Sequence, residues 1–197
     1  STLPINSLAE EFKEQGKFIG IHFFSPVEKM MLVEIIVGKN TGDLALATAL
    51  DYVRVIGKTP IVVNDSRGFF ANRCVMRYIA EGNEMLLEGV PPAMIENTAR
   101  MAGMPVGPLS LSDEVALDLG LKIMKATEAD LGPNAINQAH KKLMVEMVEK
   151  QGRFGRKNAK GFYDYPEKGK GQKSLWAGLA ALQPKHLDPD TLDVEEL

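Results

Sequence analysis

Two side chains capable of acid–base chemistry sit inside an apolar run. His22 and Glu34 fall within FIGIHFFSPVEKMMLVEIIVG, Phe18 to Gly38, a segment otherwise rich in branched and aromatic residues. A buried carboxylate without a partner is costly, so it is normally paired or protonated. A strand, a turn of several residues and a return strand would bring the two side chains together across their separation of 12 residues. Imidazole is the usual general base near neutral pH, and a carboxylate behind it orients the ring and favours its charged form. Proton transfer arranged in this way contributes about 10²–10⁴ in rate. The same residues also fit a core histidine bonded to a backbone carbonyl, with Glu34 at a solvent-facing strand position.

A second candidate lies in NDSRGFFANR, Asn64 to Arg73. Gly68 opens a helix after a strand, where a small residue admits close approach of backbone or ligand. Asn72 then falls in the first turn of a mostly apolar helix. Its amide both donates and accepts, which suits holding a carbonyl or hydroxyl oxygen, and equally suits a simple cap or packing contact. Cys74 lies two residues further on, about 200° round the helix, and reads as a buried structural thiol. As the single cysteine, it excludes an internal disulfide and a CxxC metal site. His140 and His186 have no neighbouring ligand pattern and read as surface residues.

These residues need elements to position them. INSLAEEF reads as a short helix capped by Asn6 or Ser7, with Glu10 and Glu11 in its favourable first turns. FIGIHFF is a strand ended by Pro26, and MLVEIIV is a second, covered on both faces. TGDLALATALDYVRVIG repeats apolar residues at helical spacing, from Thr41 or Asp43 to the stop at Gly57. TPIVVND is a third strand. Strand, strand, helix, strand, with no partner before residue 18, reads as the closing part of an α/β sheet. From Gly68 the pattern turns helical: FFANRCVMRYIAEGNEMLLEG, then AMIENTARMAG behind Pro91 or Pro92, one helix across GPLSLSDEVALDLGLKIMKATEADLG, and one across NAINQAHKKLMVEMVEKQG. GFYDYP is extended. The expected division is α/β over 1–64, helical over 65–166, and linker and tail over 167–197, with Trp176 anchoring the tail on the helical part.

The bulk properties narrow the function. The chain has 197 residues and a net charge of −3, without the basic surface a nucleic-acid partner requires. GRFGRKNAKG and KGKGQK, the two dense basic stretches, read as solvated loops. No apolar run approaches the roughly 18–20 residues that cross a bilayer, and the start is too acidic for a secretory signal. These features point to a cytoplasmic setting. Neither GxGxxG nor GxxxxGK[ST] occurs. The opening STLPIN lacks an initiator methionine and reads as the start of a fragment.

IGIHFFSPVEKMMLVEII followed by NDSRGFFANR resembles the L-3-hydroxyacyl-CoA dehydrogenase family, through His-Phe-Phe-x-Pro, Leu-Val-Glu and Asp-x-x-Gly-Phe-x-x-Asn-Arg in this order and spacing. MAGMPVGPLSLSDEVALDLG and GRKNAKGFYDY match the same family, and the similarity runs from Ser1 to about Pro166. The resemblance is nearest to multifunctional fatty-acid oxidation proteins, in which KGKGQK would connect to a second helical repeat. It implies the end of a Rossmann-type NAD-binding domain followed by an all-α domain, and NAD-dependent oxidation of L-3-hydroxyacyl-CoA in β-oxidation. It puts the proton acceptor on His22, its orienting partner on Glu34, and substrate contacts on Asn72 and Ser1. The family's glycine-rich loop and ribose-binding acid lie outside this chain, so the cofactor-binding residues are unassigned and the isolated piece is expected to be inactive. Arg67 stands where many relatives carry proline. Implied partners are the acyl-CoA substrate and a second copy or second helical repeat, with no metal. Met30, Met31, Met76, Met101 and Met104 read as core packing, or as a flexible acyl-chain groove. The competing classes are a non-catalytic helical assembly or acyl-CoA-binding module, and a related dehydrogenase of small hydroxyacids.

Overall fold

The computed structural model describes residues 3–167 and 170–192. The chain divides into two compact units, Ser1–Met76 and Arg77–Leu197.

The first unit contains α1 (Ile5–Ala9), β1 (Gly20–Phe23), β2 (Leu32–Val37), α2 (Asp43–Val55) and β3 (Thr59–Asn64). The sheet order is β1-β2-β3; β1 runs antiparallel and β3 parallel to β2. Strand side chains alternate between faces, so β2 sorts its residues into two sets. Val33 and Ile35 pack with Ala49 and Val53 of α2, while Ile36 packs with Ile5 and Phe69 on the other face. Glu34 shares the face of Ile36. His22 is its direct cross-strand partner and shares that face too.

The cap of α1 differs from expectation, while α2 begins at Asp43, one of its two expected starts. Neither Asn6 nor Ser7 caps α1; the Asp65 carboxylate accepts hydrogen bonds from the Ile5 and Asn6 amides at 3.0 and 2.8 Å. Glu10 and Glu11 follow the helix and give its first turn no charge. Thr41 does not cap α2, because its hydroxyl accepts from Gly38 N–H and donates to the Phe18 carbonyl. Gly57, at φ +73°, ends that helix as expected.

From the first unit α3 (Ala71–Leu87) continues into the second, followed by α4 (Pro92–Met101), α5 (Pro108–Val115), α6 (Leu117–Leu131) and α7 (Gln138–Val145). One π-helical turn, Glu146–Lys150, extends α7, and Asn137 caps it by accepting from Ala139 and His140 N–H. The single helix expected across residues 107–132 is two. Ala116 takes φ +79°, and Leu117 N–H donates to the Phe154 carbonyl instead of continuing the helical ladder. No glycine or proline marks this break, so periodicity ran straight through it.

The tail also departs from the linker reading. β4 (Tyr163–Asp164) pairs with β5 (Ser174–Leu175), and α8 (Leu179–Leu182) follows. The Arg153 guanidinium stacks 4.1 Å from the Trp176 ring centre, and Leu179 is buried with Phe162, Leu86, Ile95 and Met147. Gln183 donates to the Leu86 and Val90 carbonyls. Trp176 thus anchors the tail as the sequence indicated, within a longer packed segment. His140, expected at the surface, is buried and hydrogen bonded to Asn83 at 2.7 Å; burial holds its pKa below the ordinary value.

Two buried carboxylates brace this unit. Glu96 accepts from Leu109 and Ser110 N–H at the start of α5 and from Tyr163 O–H. Asp113 accepts from Phe162 and Tyr163 N–H and from Tyr165 O–H. Burial pushes the Asp113 carboxyl up to about 6, against those hydrogen bonds and nearby Lys173. The raised value means that folding favours protonated Asp113. Its stabilisation is complete below 3.8 and is lost as pH rises through about 6, a change of about 3 kcal/mol. Urea unfolding of the 197-residue chain and its Asp113→Asn variant at pH 4 and pH 7 tests this. The wild type should lose about 2 kcal/mol relative to the variant on going from pH 4 to pH 7; a pH-independent difference would contradict it.

Candidate active site

The cross-strand pair has its two functional groups in contact. His22 Nδ1 lies 2.7 Å from Glu34 Oε2. The Glu34 side chain is fully buried and that of His22 is 16% exposed. The arrangement with a solvent-facing Glu34 is therefore excluded.

A buried carboxylate needs every lone pair answered, and a helix start supplies the rest. Phe70 and Ala71 N–H donate to Glu34 Oε1 at 2.9 and 2.8 Å. These are amides at the entry to α3, which lack intrahelical acceptors and carry the positive end of the helix dipole. Glu34 is thus both the cap of α3 and the partner of His22. With Oε1 taken by two N–H groups and Oε2 facing the ring, Nδ1 must donate. In its neutral form the imidazole is then the Nδ1–H tautomer, whose Nε2 keeps its lone pair.

The turn before α3 aims those amides. Gly68 and Phe69 are both left-handed, at φ +77° and +49°, closed by the Phe69 N–H to Ser66 carbonyl bond at 2.9 Å. A left-handed non-glycine residue costs roughly 1–2 kcal/mol. Phe69 is buried all the same, and its ring centre lies 5.5 Å from that of His22 at 59°. Phe24 approaches the imidazole edge-on at 4.7 Å and 62°. Carboxylate and two rings thus restrict the imidazole.

Asn72 is half-buried in the first turn of α3, directly after the amides that hold Glu34. A side-chain carbon at Gly68 would make only an ordinary contact with Asn72 Cβ at 3.6 Å, so the left-handed φ of +77° is what calls for glycine there. Ser1 lies outside the described residues. Cys74 is exposed, correcting the buried-thiol expectation. Met30, Met31, Met101 and Met104 are exposed as well, so they are not core; Met144 and Met147 are the buried pair. Among the described residues no cluster could hold a metal ion, and no helix is long and apolar enough to cross a membrane.

Sequence reasoning missed Phe69, Phe24 and Asp65. The Phe69-Phe70 pair after Gly68 read as the start of a helix, because a positive φ at phenylalanine leaves no mark in residue type. Asp65 was visible only as part of the strand-ending VND.

The chain matches two families: 3-hydroxyacyl-CoA dehydrogenase, NAD binding domain, over residues 1–66, and 3-hydroxyacyl-CoA dehydrogenase, C-terminal domain, over residues 68–165. It is 43% identical over 171 residues to the fatty acid oxidation complex subunit alpha of Shewanella loihica, covering 86% of this chain and 24% of that protein. Among solved structures, the (S)-3-hydroxybutyryl-CoA dehydrogenase of Ralstonia eutropha superposes with a TM-score of 0.74 at 34% identity, over 85% of this chain and 59% of the other. The dehydrogenase part of multifunctional enzyme 1 from C. elegans covers all of this chain and 44% of its own, with a TM-score of 0.66 at 25% identity. The chain thus spans about a quarter of the curated relative, and NAD is the cofactor of the domain it matches at its start. Across residues 1–66 and 68–165, this chain belongs to the 3-hydroxyacyl-CoA dehydrogenase family.

Proposed function

We propose that this chain supplies the proton-transfer half of an NAD-dependent oxidation of L-3-hydroxyacyl-CoA to 3-ketoacyl-CoA in fatty-acid oxidation. The observation that carries the reading is the 2.7 Å bond from His22 Nδ1 to a Glu34 whose other oxygen is held by the start of α3. His22 Nε2 takes the proton of the substrate's 3-hydroxyl while the hydrogen on C3 departs as hydride. Glu34 holds the ring in the receptive tautomer and stabilises the imidazolium that forms. The Asn72 amide binds the substrate oxygen, and Ser1 is assigned to the same oxygen. In the reverse direction these donors polarise the ketone.

Among the described residues, the turn between β2 and α2 forms no seat for the cofactor's diphosphate. The strand-to-helix turn between β2 and α2 spends its amides on protein acceptors: Gly38 N–H on Thr41, Lys39 N–H on Asn6, and Gly42 N–H on the Gly16 carbonyl. The cofactor's site is accordingly assigned mostly outside this chain. Residues 1–64 are assigned to the end of the NAD-binding domain and 65–166 to a helical domain for substrate binding and pairing with a second copy or repeat. Exposed Met101, Leu119 and Leu131 support that pairing. A cytoplasmic location fits the lone, unpaired cysteine.

Acetoacetyl-CoA-dependent NADH oxidation tests the assignment. The intact enzyme should turn over, and the 197-residue chain alone should show no rate above background. Robust turnover by the isolated chain would overturn the division of labour.

A further inference from the structure

We infer that Phe69 is a positioning residue for the reaction, fixing the imidazole of His22 through both its backbone and its ring. This rests on the proposed role of His22 as the base. Phe69 is left-handed at φ +49°, a conformation in which glycine would be at ease, yet a large aromatic side chain occupies it. Its apolar neighbours, Ile5 and Ile36 with Phe18 and Val63, are on the cluster side, while its ring also meets the imidazole of His22.

What phenylalanine adds is the pairing of two directions at one residue. Its left-handed backbone, following Gly68, turns the next two amides onto Glu34 Oε1. Its ring turns the other way, onto the imidazole that Glu34 Oε2 holds. Phe24 closes a second side of the imidazole at 4.7 Å. Without the Phe69 ring, His22 could swing about its side-chain torsions and leave the carboxylate. A reacting group displaced by about 1 Å loses roughly 10²-fold in rate.

The test uses the intact enzyme. Phe69→Gly keeps the left-handed turn and deletes the ring, whereas Phe69→Tyr keeps both. The glycine variant should lose roughly 10²-fold in kcat with KM for the thioester and for NAD unchanged. The tyrosine variant should restore kcat to near wild type. The downfield proton resonance of His22 Nδ1–H, identified by its absence from His22→Gln, should vanish in Phe69→Gly and return in Phe69→Tyr. Wild-type kcat and an intact resonance in the glycine variant would overturn the inference. If Phe69→Gly fails to fold, Phe69→Leu takes its place: it fills the cluster without a ring, should show the same kcat loss, and unchanged kcat would again overturn the inference. Full activity in His22→Gln would instead sink the role of His22, which separates the two failures.

Discussion

Replacing His22 with glutamine in the intact enzyme should lower kcat by about 10²–10⁴ while KM for the thioester stays where it was. The magnitude follows from geometry. Glutamine can still occupy the strand and offer an amide to Glu34, so the sheet and the start of α3 keep their partners. The site loses only the basic nitrogen, a group that acts as the hydroxyl proton leaves. An effect confined to the transition state appears in kcat and kcat/KM together. Steady-state rates of 3-hydroxybutyryl-CoA oxidation and acetoacetyl-CoA reduction should fall by similar factors, since one proton crosses the same bond in both directions. A variant that kept its kcat and lost only affinity would assign His22 to binding.

The second large effect belongs to Glu34→Gln. The amide oxygen can still accept from Phe70 and Ala71 N–H, so α3 stays capped and the fold survives at a cost of about 1–2 kcal/mol for exchanging charge-assisted for neutral hydrogen bonds. The amide nitrogen then occupies the position facing His22 and can only donate. It forces Nδ1 to accept, moves the ring proton to Nε2, and leaves no lone pair toward the substrate. A wrong-tautomer substitution of this kind costs about 10⁴ in kcat in a serine protease triad, and a loss of about 10³–10⁴ is expected here. Thermal unfolding alongside kcat separates the effects: small destabilisation with large kinetic loss is the expected pattern. Unfolding with no folded population would show that Glu34 serves the α3 cap first.

Much of this site was legible because its parts lie close along the chain in regular elements. The strands FIGIHFF and MLVEIIV were readable from branched and aromatic residues, and their antiparallel return follows from the short connection. The register then sets His22 opposite Glu34. Asn72 was readable as a first-turn residue because the polar NDSRG precedes a long amphipathic run. What was hidden depends on backbone dihedrals or distant partners. Phe69 and Ala116 take positive φ without being glycine, so the turn that aims two amides at Glu34 and the break between α5 and α6 leave no compositional trace. Asp65 caps α1 across 60 residues, and Asp113 fastens a strand 50 residues away. Long-range carboxylate caps look like ordinary surface acids until the chain folds. The tail was hidden for another reason: its glycines and lysines signal a linker, while the few apolar residues behind them, Leu175, Trp176 and Leu179, do the packing.

Everything proposed for the reaction requires that the neutral ring of His22 carry its proton on Nδ1, against Glu34, and present a bare Nε2. The chain holds only three histidines, so ¹⁵N labelling of histidine, with His22→Gln to assign the signals, reads this directly. In its neutral form His22 should show a protonated Nδ1 and an unprotonated Nε2. A proton on Nε2, or an even mixture of the two tautomers, would contradict it.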